Sequence, residues 1–156
     1  MPAKNVKAFL DERGIKYVTI LHSPAYTAQE IAASAHIPGK QLAKTVIITM
    51  NGDLAMAVLP ASSKIDFMLL GGAVGTEDVA LAEEHDFEEL FPGCEAGAMP
   101  PFGNFYGIPV FVAAELTEDE RIAFNAGTFT ELIQMSYSDF ARLVDPIVLH
   151  FAYEMA

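Results

Sequence analysis

The spacing of apolar residues along this chain changes period several times, and each change marks a new element. Val6, Phe9 and Leu10 fall on one helical face, and Gly14 stands where that helix should stop. Tyr17 to Leu21 predicts a short strand. Thr27 and Glu30 have the spacing of a capping box that opens a helix over TAQEIAASA, and Pro38-Gly39 breaks it. Lys44 to Met50 is rich in β-branched residues and predicts a buried strand. Asn51-Gly52 is a type I′ hairpin signal, so DLAMAVLP returns as the partner strand. IDFMLLGG predicts a helix ending at glycine, DVALA is ambiguous, and EEHDFEELF predicts a helix with an acidic outer face. Further strands are expected over IPVFVAAE, RIAFNAG and ELIQMS, with a turn near Gly127-Thr128. Ser138-Asp139 is placed to open a last helix, and PIVLHFA predicts a terminal strand. Strands and helices intermixed with a sequential hairpin favour a mixed sheet in one α+β or α/β domain over residues 1–156.

Composition narrows the class. The chain is 52% hydrophobic, yet its longest apolar runs are too short to span a bilayer. The N-terminus lacks a long apolar stretch, so no secretory signal is expected. A single cysteine, Cys94, excludes an internal disulfide framework and suits a reducing cytoplasm. The net charge of −12 argues against a general nucleic-acid binder, but the charge is unevenly spread. Residues 1–64 hold seven Lys/Arg against four Asp/Glu, and residues 65–156 hold two against seventeen. A surface that meets a polyanion should therefore come from the first part.

Much familiar chemistry is absent. No nucleophile elbow, HExxH, phosphate-binding glycine loop or dinucleotide fingerprint is present. The four histidines show no ligand spacing, so no metal and no cofactor are expected. Cys94 has an acidic neighbour, Glu95, which disfavours a thiolate. Two features remain. Lys44 opens an apolar strand, where a lysine serves equally well as a surface charge. Gly93 to Gly103 reads GCEAGAMPPFG, with three glycines and two adjacent prolines, which no helix or central strand can cross. Gly97, Ala98 and Met99 offer amides that can aim at a carbonyl oxygen, although a tight structural turn fits the loop too.

Together these features resemble the YbaK-type aminoacyl-tRNA editing domains, related to the insertion domain of bacterial prolyl-tRNA synthetase. The matching pieces are TAQEIAASA, LAKTVII with Lys44, AMAVLPAS, the Gly-x-x-x-Pro loop from Gly97 to Pro101 with Phe102-Gly103, and FNAGTFTELIQMSYSDFARLV. The resemblance implies a mostly antiparallel, barrel-like mixed sheet flanked by helices. It also implies a free-standing hydrolase that deacylates mischarged aminoacyl-tRNA, with Ala, Ser or Thr ahead of Cys, on tRNA-Pro or a similar tRNA. Lys44, Gly97, Ala98, Met99 and Pro101 are then the catalytic set. Tyr26, Thr27, Lys40, Ser62, Lys64, Pro100, Phe102, Gly103, Asn125, Gly127 and Phe129 are the expected substrate contacts. The implied partners are the aminoacyl-tRNA acceptor end and a synthetase, not DNA or a membrane. An ester or thioester hydrolase of small molecules and a non-catalytic binding module stay open as alternatives.

Overall fold

The computed structural model describes residues 3–23, 28–95 and 97–154. Helix α1 (Ala3–Glu12) buries Val6 and Leu10, and Gly14 turns the chain with a φ of +66°. Strand β1 (Tyr17–Leu21) follows, then α2 (Ala28–Ala35). The helix stops at His36, whose φ is +58°, two residues ahead of Pro38-Gly39. The expected Thr27 cap lies outside the described residues.

The centre of the sheet is the hairpin of β2 (Leu42–Met50) and β3 (Asp53–Pro60). Asn51 and Gly52 carry φ values of +54° and +85°, as a type I′ turn requires, and Met50 pairs with Asp53. The remaining strands are β4 (Ser63–Ile65), β5 (Val79–Leu81), β6 (Val110–Ala113), β7 (Arg121–Asn125), β8 (Glu131–Ser136), β9 (Ile147–Leu149) and β10 (Ala152–Glu154). The main sheet runs β1-β8-β7-β2-β3-β6-β9, with β5 also on β2, while β4 and β10 pair separately. It is mixed: β2 is antiparallel to β3 and β5 and parallel to β7.

Alternation along the strands sends side chains to two faces. Ala43, Ile47, Met56, Val58 and Phe124 enter the largest core, beneath α1 and α5 (Tyr137–Val144). Leu42 and Ala123 face the other way, into a smaller cluster with Ile31 and Ile37. Ile48, Ala57 and Leu59 share a third cluster with Leu70 of α3 (Phe67–Val74). One edge of β2 passes from β7 at Leu42 and Ala43 to β5 at Ile48 to Met50. Between those ladders the sheet parts on that side, next to Lys44.

Several boundaries differ from the sequence reading, and four of them shape the fold. Helix α3 runs through Gly71-Gly72 to a left-handed cap at Gly75, because Gly71 fits against the Thr76 carbonyl where a Cβ would collide. The acidic segment forms only a single turn, α4 (Glu84–Phe87), since its neighbouring carboxylates repel and Gly93 follows with a φ of +81°. Helix α5 opens at Ser136, whose hydroxyl accepts from the Asp139 amide at 3.1 Å. The terminal segment is two strands in two sheets. Phe151 between them is fully buried and its carbonyl accepts from the Asp66 amide.

Candidate active site

The glycine-proline loop is less bare than its sequence. Gly97 is exposed, but Ala98 to Gly103 are buried. Met99 sits in the main core. Phe102 is wholly buried, with ring centroids 5.5 Å from Phe124 and 5.7 Å from Phe140. A Cβ on Gly103 would stand 2.8 Å from a Val110 methyl. Phe102 and Gly103, expected to touch substrate, instead brace the loop from beneath, because the apolar ring and the missing side chain let it pack on the sheet. The prolines Pro100 and Pro101 are buried with them.

The three amides are not equivalent. The Gly97 N–H points at the Met99 sulfur at 3.2 Å, and the Ala98 N–H is committed to the Glu95 carbonyl at 2.9 Å. Among the described residues the Met99 amide makes no hydrogen bond. Sulfur is a weak acceptor, so a carbonyl oxygen can compete for the Gly97 donor. Of the three amides that the sequence offers, one is thus uncommitted among the described residues, one is weakly held and one is taken.

The loop is fastened to the β7–β8 turn. Gly127 donates to the Ala98 carbonyl at 3.0 Å, Glu95 donates to the Gly127 carbonyl at 2.8 Å, and the Phe129 amide donates to the Glu95 carboxylate at 2.7 Å. Gly127 needs its φ of +103° to make this double contact. Glu95 is the structural residue that the sequence reading missed. Its acidity was visible next to Cys94, but its partner is 34 positions away and only the fold brings it back.

Lys44 shares a face of β2 with Leu42, by alternation. Leu42 belongs to the cluster on which Phe129 packs, and Phe129 reaches Gly97. The parallel register pairs Leu42 with Ala123 and Ala43 with Phe124 and ends there, one position before Lys44 and Asn125. Asn125 is buried and its Oδ1 has no partner among the described residues. The loop contacts thus gather Gly97, Gly127 and Phe129 just past Asn125 at the end of β7, with Lys44 one position beyond the end of the β2–β7 ladder.

Lys44 is half-buried, and its ammonium makes no ion pair or hydrogen bond with a described residue. It lines a cavity of about 360 Å³ with Val46, Leu59, Lys64, Ile65, Phe67, Leu81 and Tyr153. Burial, and then the Lys64 charge beside it, push the Lys44 ammonium below the usual lysine range. Residues 97–101 do not line this cavity. Lys40 and Ser62, expected beside Lys44, open instead on a cavity of about 650 Å³ with Glu115, Glu118, Asp119 and Glu154. There burial raises the Asp119 carboxyl, against the pull of Lys40. Successive residues of β4 face opposite ways, with Ser63 on the Lys40 cavity and Lys64 on the Lys44 cavity, so the three lysines expected near the site are divided. Tyr26 and Thr27 lie outside the described residues. Among the described residues one group, Glu83, His85 and Asp86, brings three potential ligands together, and all three are exposed.

This site can be set beside known proteins. The profile of the aminoacyl-tRNA editing domain matches residues 22–143, well over half of the chain. The chain belongs to the aminoacyl-tRNA editing domain family. As an editing domain it falls in the class of aminoacyl-tRNA deacylases, which are ester hydrolases acting on aminoacyl-tRNA. It is 26% identical over 150 residues to the multifunctional Ser/Thr-tRNA deacylase ProXp-y of Escherichia coli, covering 92% of this chain and 89% of the relative. In structure it resembles a candidate trans-editing enzyme for prolyl-tRNA synthetase, with a TM-score of 0.81 at 20% identity, covering 99% of this chain and 97% of the other. A scaffold protein used for epitope grafting shares the fold at a TM-score of 0.81 and 21% identity, covering 98% and 97%. The mixed sheet flanked by helices is therefore the editing-domain fold. No helix among the described residues is long and apolar enough to cross a membrane.

Proposed function

We propose that this editing domain acts in trans on mischarged tRNA, on tRNA-Pro or a similar tRNA, and removes a small amino acid: Ala, Ser or Thr ahead of Cys. The observation that carries the reading is Lys44. In a chain of net charge −12, a half-buried ammonium stands beside a second lysine in a cavity with no carboxylate among its lining residues. Two like charges held together cost free energy that an anion recovers, and the acceptor end of a tRNA supplies phosphates. The Ser/Thr-tRNA deacylase relative supports Ser and Thr as acyl groups.

In this mechanism Lys44 anchors the terminal phosphate, and Asn125 offers its unpartnered Oδ1 to a donor on the substrate. The ester carbonyl takes the Met99 amide and displaces the sulfur from the Gly97 amide. Phe129, packed beside Gly97, narrows the acyl side to small groups. Water adds to the carbonyl carbon; the ester C–O bond then breaks, and the proton goes to the departing ribose oxygen. The vicinal ribose hydroxyl orients that water, since the loop itself supplies no acid or base. A synthetase that makes the mischarged tRNA is the natural second partner.

The deciding experiment incubates the purified protein and its Lys44→Ala variant with a panel of mischarged tRNAs. Release of Ser, Thr or Ala by the parent, reduced at least tenfold in the variant, is expected. Hydrolysis of simple amino-acid esters with no turnover of tRNA would assign the site to a small-molecule esterase instead.

A further inference from the structure

The Lys44 cavity has a wall that the phosphate contact does not use. Strand β10 pairs with β4 so that Tyr153 lies directly opposite Lys64. Tyr153 is 50% exposed and lines the same cavity, and its side chain makes no ring contact or hydrogen bond with a described residue. Phe67 and Leu81 continue the apolar surface, and Leu81 is itself 61% exposed. Exposed apolar side chains around two lysines with no ion pair to a described residue give one cavity two chemistries: cations for a phosphate, and a flat face for a planar ring.

We infer that Tyr153 is a positioning residue for the substrate, stacking on the terminal base of the tRNA while Lys44 and Lys64 hold the adjoining phosphate. This inference rests on the deacylase reading above and assigns a further residue to that site. Several observations favour a base as occupant. A cavity of about 360 Å³ is at the small end for ligand sites and suits one nucleotide. Base stacking on an aromatic side chain needs only an open π-face, which Tyr153 has. The antiparallel pairing with β4 also fixes the Tyr153–Lys64 spacing, so base and phosphate contacts are set by one ladder. Tyr153 lies beyond residue 143, where the match to the family profile ends, so that match by itself gives the residue no role.

The test uses the intact protein with adenosine 5′-monophosphate and ribose 5-phosphate as probes, followed by calorimetry or NMR titration. Parent and Tyr153→Phe should bind the nucleotide alike, since both keep a π-face. Tyr153→Ala should bind it about tenfold more weakly, while ribose 5-phosphate, which lacks a base, should bind all three equally. In deacylation, Tyr153→Ala should raise KM by a similar factor and leave kcat unchanged. Equal nucleotide affinity in parent and Tyr153→Ala, or no nucleotide binding by the parent, would overturn the inference even if deacylation still depends on Lys44. Nucleotide binding that depends on Tyr153, in a protein that deacylates no tRNA, would keep the nucleotide site and overturn the deacylase reading. A thermal unfolding curve for each variant separates loss of binding from loss of fold.

Discussion

Phe129 stands against Gly97: its ring Cζ lies 3.4 Å from the point where a Cβ on Gly97 would begin. Gly97 also has a φ of +88°, a region that side chains disfavour. Gly97→Ala should therefore lose about 1–2 kcal/mol of stability and at least tenfold in kcat/KM, because the strain sits where the carbonyl is proposed to bind. Thermal unfolding and turnover measured together decide this. Full activity per folded molecule would leave the loop as a turn alone.

Glu95 closes the loop against the β7–β8 turn through the Phe129 amide. Hydrogen bonds to a charged partner are worth about 1.5–3 kcal/mol, and the exposure of this one places it at the lower end. Glu95→Ala should lower the melting temperature and raise KM, while Glu95→Gln, which keeps an acceptor, should stay near the parent. An alanine variant matching the parent in both respects would show that the two loops hold together without it.

Lys44 gives a prediction with a sign. Its folded-state pKa lies below the ordinary 10.5, first from burial and then from Lys64. Between the lowered value and 10.5 the unfolded chain binds more protons, so stability rises with pH there. Below that window the charged lysine destabilises the fold at full strength. Lys44→Met should thus melt higher than the parent at pH 7, and the difference should shrink as the pH approaches 10.5, while deacylation falls at least tenfold. A variant that melts lower at pH 7 would mean that Lys44 has a stabilising partner.

Deacylation of a 3′-charged tRNA lacking the terminal 2′-hydroxyl tests who moves the proton. A loss of about 10²-fold or more at saturating enzyme is expected if the vicinal hydroxyl orients the water. An unchanged rate would send the search to a protein base, with Cys94, Glu95 and His22 the first to replace.

Local chemistry determined much of this protein. β-Branched runs, the Asn51-Gly52 turn and the helical spacing of Val6 and Leu10 act over a few residues, so the hairpin and α1 were legible without any distant contact. The order of Lys44 and the Gly97–Pro101 loop was likewise enough to point to the editing family, and the profile match agrees. Only the tertiary structure decided what depends on distant partners. It continued α3 past two glycines because Gly71 meets Thr76, and it split the terminal strand because Phe151 is buried between two sheets. It turned Phe102 and Gly103 inward, committed the Ala98 amide to Glu95, and divided Lys40 from Lys44. The physical reason is the same in each case. Periodicity says which side of an element is apolar, but burial, hydrogen-bond partners and electrostatic neighbours are set by chain segments tens of residues apart, and only the packed sheet brings them together.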